Sequence, residues 1–438
     1  MLKIGFYEKE ITPPLGCHIP GYFNIRRSED VIDRLYARAM AVSSDDEIAV
    51  IISVDAVDIG ADVLDDIYKR IEKYISVDRS HVMIGATHSH TAIPRKEHLD
   101  DPDIAESTEG YHTVVAKLIA DCAILAHRRL KECSVSFGKG EVDGISFCRD
   151  YYMKNATPQT NPPRTSPEID RPTAETDNEL PILFVKDADG EPLGALISFA
   201  CHPDCVSGEK YTGDYISVLA KQLKKAYGED FVTVFLQGTS GDINHFDVSK
   251  PSDAPDHYRK MGQKIAGEAI KSIAFAAELE SDELKVAYEV LPIERTTIDD
   301  EKIEKAKYYI ENVKPVEGVK VAADGTDSEQ YNLMMSRSLM RFLENTPAVM
   351  NVPVQVFQIG EFTVYAMPSE IYCYFGKLIK RGDGTGKCMV ATLCNGTFGY
   401  VPTRDMFYDT IYESKPGANK LNREAGYIMA EKLLSMKK

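Results

Sequence analysis

Short apolar runs alternate with longer stretches of helical period through the first half of the chain. Ala49–Val54 (AVIISV) is continuous and β-branched, the pattern of a strand buried on both faces. Val63–Tyr74 carries apolar residues at helical spacing, and His81–Ala86 (HVMIGA) reads as the next strand. A helix is predicted over Val114–Leu130, with a stripe through Leu118, Ile119, Cys122, Leu125 and Ala126. From Asp150 to Leu180 the period is lost. Five prolines and many Thr and Asn predict a long irregular loop there, of the kind that is usually functional or mobile.

Strands resume at Pro181–Val185 and Leu193–Phe199, followed by helix Ser217–Ala226, strand Phe231–Leu236 and helix Pro255–Ala276. Leu284–Glu294 reads as a further strand. Asp299–Asn345 is charged and mostly helical, with a break near Ala322–Thr326, as expected of a helical insertion on the domain surface. Strands return at Val352–Ile359 and Phe362–Met367. The last helix is Asn422–Met436, with Lys437 and Lys438 suited to its negative end. No internal repeat or low-complexity tract is visible. The order predicts one α/β domain over residues 1–438, a layered mixed sheet with flanking helices and a helical insertion at 299–345.

Charge narrows the function. A net charge of -17 opposes nucleic acid or an anionic membrane as the main partner. No window reaches the length of a spanning helix, and Met1–Pro14 has no apolar run of signal-peptide length, so the expected location is cytoplasmic, without membrane insertion. The nine cysteines are scattered, as free thiols would be in a reducing compartment. The CxxxC spacing of Cys201 and Cys205 is by itself a weak metal or redox signal.

Candidate chemistry collects after the predicted strands. In Gly85-Ala86-Thr87-His88-Ser89-His90-Thr91, two imidazoles two residues apart in extended chain point to one side, towards a metal or a substrate. Two loop histidines without such a role would look the same. His202 in Cys201-His202-Pro203 stands at a strand terminus, where a lone histidine is more often structural. Gly238-Thr239-Ser240-Gly241-Asp242-Ile243-Asn244-His245 lets backbone approach a ligand, but Asp242 stands where a nucleophile elbow needs glycine. In Met367-Pro368-Ser369-Glu370, Ser369 could cap a helix over Ile371–Ile379, with Glu370 in its first turn. Gly396–Pro402 could present Tyr400. Ligands gather at the carboxyl ends of strands in α/β sheets, and two or three imidazoles with one carboxylate make a zinc set. No HExxH helix is present.

The ordered series ITPPLG, THSH, CHP, GTSGD, PSE and NGTFGYV resembles the catalytic domain of the neutral/alkaline non-lysosomal ceramidases and their short bacterial relatives. The resemblance implies one Zn²⁺ per chain, with a second metal possible, held by His88, His202, Glu370 and Tyr400. The residues alone do not choose His88 over His90. By the same resemblance His90 faces the substrate carbonyl, Arg149 contacts substrate, and Tyr412, followed by Glu413, lies near the oxyanion. Asn244 stands where the family's Gly-Asp-Val/Ile-Ser-Pro-Asn run has Ser, which removes a serine nucleophile but leaves a metal-activated water. Asp55, Asp214 and Asp242 are expected around the site, orienting histidines or holding another cation. No secretory signal, stalk or C-terminal immunoglobulin-like domain of the family's kind is expected from this sequence. The expected activity is therefore a zinc-dependent hydrolysis of an amide, or less readily an ester, in a small soluble molecule rather than ceramide itself. Two other functions fit the same residues: a two-metal phosphoesterase using Asp55, His88, His90, His202, Asp214 and Asp242, and a catalytically silent ligand-binding relative. The oligomeric state is not readable from the sequence.

Overall fold

The structure is a computed structural model that describes residues 2–95, 102–316 and 328–437. The break anticipated at Ala322–Thr326, and Lys438, lie outside the described residues. The main sheet has nine strands. Its path runs Val232–Gln237, Pro192–Phe199, Glu179–Asp187, Lys131–Glu141, Lys3–Glu10, Tyr36–Ser44, Glu47–Val54 and Val82–Ala86, with Ala277–Glu278 joined to Lys131–Glu141. The sheet is mixed. Pairing is parallel at its two ends, between Pro192–Phe199 and Val232–Gln237 and between Glu47–Val54 and Val82–Ala86, and antiparallel between.

Alternation of side chains explains the layering. Along Tyr36–Ser44, Ala37, Ala39 and Ala41 face a core shared with helices Ala61–Tyr74 and Pro102–Arg128. Met40 and Val42 point the other way, into a core shared with Phe357, Val364 and Met389 of a second sheet. That four-stranded sheet runs Leu284–Glu294, Val349–Ile359, Phe362–Ala366 and Cys388–Ala391. Its outer face (Val352, Val354, Val356) packs on helices Cys373–Asp383 and Ala425–Met436. The order of layers is therefore helix, sheet, sheet, helix. Strands covered on both faces must be apolar at every position, which is why they read as continuous runs.

Several expectations are corrected. Residues 150–180 are not irregular throughout: Asp150–Met153, Pro158–Thr160 and Ile169–Pro172 form a three-stranded sheet within them. Strands this short, broken by proline, leave no periodic trace. The helix expected at Val114 begins at Pro102, because its first turns are mostly polar. The strands Lys3–Glu10, Tyr36–Ser44 and Lys131–Glu141 add to the predicted set. The insertion is helical as expected, at Asp300–Asn312 and Glu329–Asn345. All nine cysteines are free. Among the described residues no helix is long and apolar enough to cross a membrane.

Candidate metal centre

Four loops leave the carboxyl ends of strands and meet. Strand Val82–Ala86 ends one residue short of Thr87, whose N–H donates to the Val54 carbonyl at 2.9 Å. His88 then turns left-handed, with φ of 70°. The expected extended HxH is therefore a bend, a conformation that non-glycine residues keep mainly where the surroundings enforce it. The bend still brings His88 and His90 together, with their Nε2 atoms 3.4 Å apart. His202 follows strand Pro192–Phe199, and its ring centroid lies 4.7 Å from that of His88. Ligand atoms of His88, His90 and His202 all lie within 4.8 Å of one another, and all three residues are buried.

Two of these rings are anchored alike. His88 Nδ1 lies 2.7 Å from the Val57 carbonyl oxygen, and His202 Nδ1 lies 2.9 Å from that of Ile243. A carbonyl only accepts, so each Nδ1 carries a proton and each Nε2 is the ring atom left to face the site. His90 has no such anchor: its buried Nδ1 has no hydrogen-bond partner among the described residues, and the nearest carboxylate, Asp204, is 3.8 Å away.

Glu370 comes from the second sheet, after strand Phe362–Ala366. Here the helix-cap expectation fails. Ser369 is left-handed (φ 80°), its Oγ accepts the Phe398 N–H at 2.9 Å, and the helix begins only at Cys373. Glu370 and Ile371 instead pair in parallel with Tyr400 and Val401. The loop carrying Asp242 and Asn244 packs on this turn, and a Cβ on Gly241 would lie 2.6 Å from the Glu370 carbonyl oxygen, so glycine alone fits. Glu370 Oε2 ends 3.0 Å from His88 Nε2 and 3.2 Å from His202 Nε2. The buried Tyr400, paired with Glu370 across the two-stranded ladder, places its phenol under the influence of the same carboxylate.

Electrostatics follow from burial and these neighbours. Burial pushes the Glu370 carboxyl up, but the adjacent imidazoles outweigh it and hold the group ionised, well below the usual range. His202 is pulled down to about 4 by burial and by the Arg149 guanidinium. Burial and the two neighbouring imidazoles pull His90 well below its ordinary value. Burial and the Glu370 carboxylate push the Tyr400 phenol up.

Of the other predicted residues, Arg149 stands at the edge. Its Nη1 is 3.4 Å from His202 Nε2, its guanidinium lies 4.9 Å from the Tyr400 ring centroid, and it forms a buried ion pair with Glu413. The Tyr412 ring stacks edge-on to Tyr400 at 5.7 Å. The Asn244 side-chain N–H donates to the side-chain carbonyl oxygen of Asn161 at 2.7 Å. The three aspartates do not orient the histidines. Asp55 accepts from Arg38 and the Tyr36 N–H, Asp214 from the Val206 and Tyr215 N–H groups, and Asp242 from the Cys373 N–H. Backbone carbonyls do that work instead. None of the three joins a metal-ligating group among the described residues.

Reasoning from sequence missed the cover of the site. Gly21 is left-handed (φ 103°) and lies against His90, where a Cβ would come within 2.9 Å of Nδ1. Tyr22 stacks on His90 at 5.7 Å and donates its hydroxyl proton to Asp204. Pro20-Gly21 signals a turn, but nothing local signals what the turn covers.

The sequence model described as neutral/alkaline non-lysosomal ceramidase, N-terminal, matches residues 2–248. Two solved structures share the fold. The crystal structure of neutral ceramidase from Pseudomonas aeruginosa is 18% identical with a TM-score of 0.71, covering 99% of this chain and 74% of that one. A structure titled ceramidase complexed with C2 is 18% identical with a TM-score of 0.73, again covering 99% and 74%.

Proposed function

Because the chain belongs to the neutral/alkaline non-lysosomal ceramidase family, a family of amide hydrolases, we propose that it is a zinc-dependent hydrolase of an amide, or less readily an ester, in a small substrate. The observation that carries this is the convergence of Glu370 Oε2 on two imidazole nitrogens at 3.0 and 3.2 Å. Both imidazoles commit their Nδ1 protons to backbone carbonyls. Both Nε2 atoms and the carboxylate oxygen thus face one another in a buried space, where a cation can take the place of the protons that otherwise bridge them. Two nitrogens and one carboxylate form a zinc set, to which Tyr400 adds a phenol oxygen.

His88, His202, Glu370 and Tyr400 would hold Zn²⁺. When bound, the ion supplies a Lewis acid that polarises a carbonyl and makes a water acidic at neutral pH. The remaining steps belong to side chains. His90, neutral and unanchored, takes a proton at Nε2 and passes it to the leaving amine, a role typically worth about 10²–10⁴-fold. The Tyr412 hydroxyl, kept protonated by burial and Glu370, donates to the carbonyl oxygen as charge develops there. Arg149, fixed by Glu413, fills the wall beside His202 and holds the substrate's near end. Asn244 shapes the floor through its bond to Asn161.

The rest of the substrate lies towards the insertion. A cavity of 640 Å³ is lined by Lys302, Tyr309, Tyr331, Phe407 and Lys415 among others. Tyr331 packs on Phe23, and Phe23 on Tyr412, at 6.5 and 5.6 Å, so an aromatic wall leads from the cavity to the centre. The insertion borders this wall through Tyr331, and residues 150–180 border it through Thr160, whose Oγ accepts the Tyr412 N–H at 3.1 Å. The cavity's mixed aromatic and lysine walls suit an acyl compound with a polar remote end.

Metal analysis of purified protein and a panel of N-acyl and O-acyl substrates test the proposal. Chelator should abolish turnover and zinc restore it, and His88→Ala with His202→Ala should lose one equivalent of metal along with activity. A double variant with undiminished metal and turnover overturns the proposal. A protein that binds zinc at this centre but turns over no acyl substrate is instead the silent binding relative.

A further inference from the structure

A second group of metal-binding side chains lies beyond the first centre. Ligand atoms of Cys205, His245 and His257 fall within 4.8 Å of one another. The three residues come from separate segments: the loop after strand Pro192–Phe199, the turn after Ile243–Asn244, and the first residue of helix His257–Ala274. His257 Nε2 is 2.9 Å from the His245 carbonyl oxygen, which fixes its proton there and leaves Nδ1 with a lone pair. This is the anchoring found at His88 and His202, with the ring nitrogens exchanged. His245 is 8% exposed, and its buried Nδ1 has no hydrogen-bond partner among the described residues. Met261, one helical turn after His257 and fully buried, sets its Sδ 3.3 Å from Cys205 Sγ.

We propose that Cys205, His245 and His257, backed by the Met261 thioether, form a second metal site for a thiophilic transition-metal ion of the zinc class. Thiolate and imidazole together select soft to borderline ions over Mg²⁺ or Ca²⁺. A tetrahedral ion about 2.3 Å from sulfur and about 2.0 Å from nitrogen spaces its ligands by roughly 3.5 Å. Rotation of the Cys205 side chain, with His257 kept on its carbonyl anchor, would bring the donors in around an ion. Loading converts the Cys205 thiol to a thiolate, forms the metal–sulfur bond and releases one proton to solvent. The site would staple two segments that orient His202. Cys205 lies three residues after His202, and His245 lies two after Ile243, whose carbonyl takes the His202 Nδ1 proton. Cys201, the other half of the CxxxC spacing, takes no part: its Sγ bonds the Ile145 carbonyl.

Cobalt titration of the metal-stripped full chain tests this, because only a thiolate ligand gives a sulfur-to-cobalt charge-transfer band and the first centre has none. The band should appear in the wild-type chain and in the His88→Ala, His202→Ala double variant. It should vanish in Cys205→Ser and need at least ten-fold more cobalt in His257→Ala. A second measurement needs no variant: Zn²⁺ should protect Cys205 from alkylation, read by peptide mapping. No band in the wild-type chain, a band that survives Cys205→Ser, or equal alkylation with and without Zn²⁺ overturns the proposal.

Discussion

Removing the Glu413 carboxylate should destabilise the protein far more than a surface change. Glu413 is 0% exposed and Arg149 7% exposed, and they form an ion pair beneath the Tyr400 ring. Burial pulls the Arg149 guanidinium down, but Glu413 outweighs burial and keeps it charged. Glu413→Ala leaves that charge buried and unpaired, at a cost of about 3–5 kcal/mol. It also strips the acceptor from the Thr160 hydroxyl, which donates to Glu413 at 2.7 Å, at about 1 kcal/mol more. The expected loss is thus about 4–6 kcal/mol, a large share of a typical folding free energy. Urea unfolding can be followed by tyrosine fluorescence, since the chain has 23 Tyr and no Trp, with circular dichroism checking that the midpoints coincide. Arg149→Met in the same chain removes the stranded charge and should recover at least about 2 kcal/mol. If instead the two changes are additive to within about 0.5 kcal/mol, the pair is not coupled and the reasoning is wrong.

Two further outcomes follow from single side chains. Burial, only partly offset by the Cys373 N–H, holds the Asp242 carboxyl up to about 6. Between pH of about 4 and about 6 the folded chain then keeps a proton that the unfolded chain has released, so this group's contribution to stability falls as pH rises. Asp242→Asn should abolish that slope and stabilise the protein by about 3 kcal/mol at pH 7, which unfolding midpoints across the range will show. Gly21→Ala should cost about 1–2 kcal/mol for its left-handed backbone. Because its Cβ would sit 2.9 Å from His90 Nδ1, it should also lower kcat at least ten-fold with first-centre metal content unchanged; unaltered kcat would show that His90 placement does not matter.

Much of the site was legible because its chemistry stands at strand ends, and buried strands announce themselves. Ala49–Val54 and the run up to Ala86 locate His88 and His90, and the run ending at Phe199 locates His202. What the sequence hides is tertiary. The choice between His88 and His90 turns on the Val57 carbonyl, which lies 31 residues before His88 and meets only the His88 ring. Ser369 looks like a helix cap because caps and left-handed turns use the same residues, and only the pairing of Glu370 with Tyr400 separates them. Asp55, Asp214 and Asp242 resemble histidine partners by residue type, yet each meets backbone N–H or guanidinium donors made available by neighbouring loops. Lys3–Glu10 escaped notice because only its first half is buried, leaving no run and no clean alternation.

The centre is divided between two sheets, and that division has a physical consequence. His88 and His202 hang from the nine-stranded sheet, whereas Glu370 and Tyr400 follow strands Phe362–Ala366 and Cys388–Ala391 of the four-stranded one. The donors meet only because the sheets pack through Ile51, Met83, Val364 and Met389. The family match over residues 2–248 therefore contains the two imidazoles but neither the carboxylate nor the phenol. An ion held by all four groups spans the sheet interface, so its binding energy adds to the cohesion of the layers. If the proposed ion is held there, a core substitution such as Val364→Ala should raise the zinc concentration needed for half-loading in a metal titration without touching a ligand, because part of the binding energy must then restore the packing that positions Glu370; unchanged affinity would show that the layers do not share the binding energy.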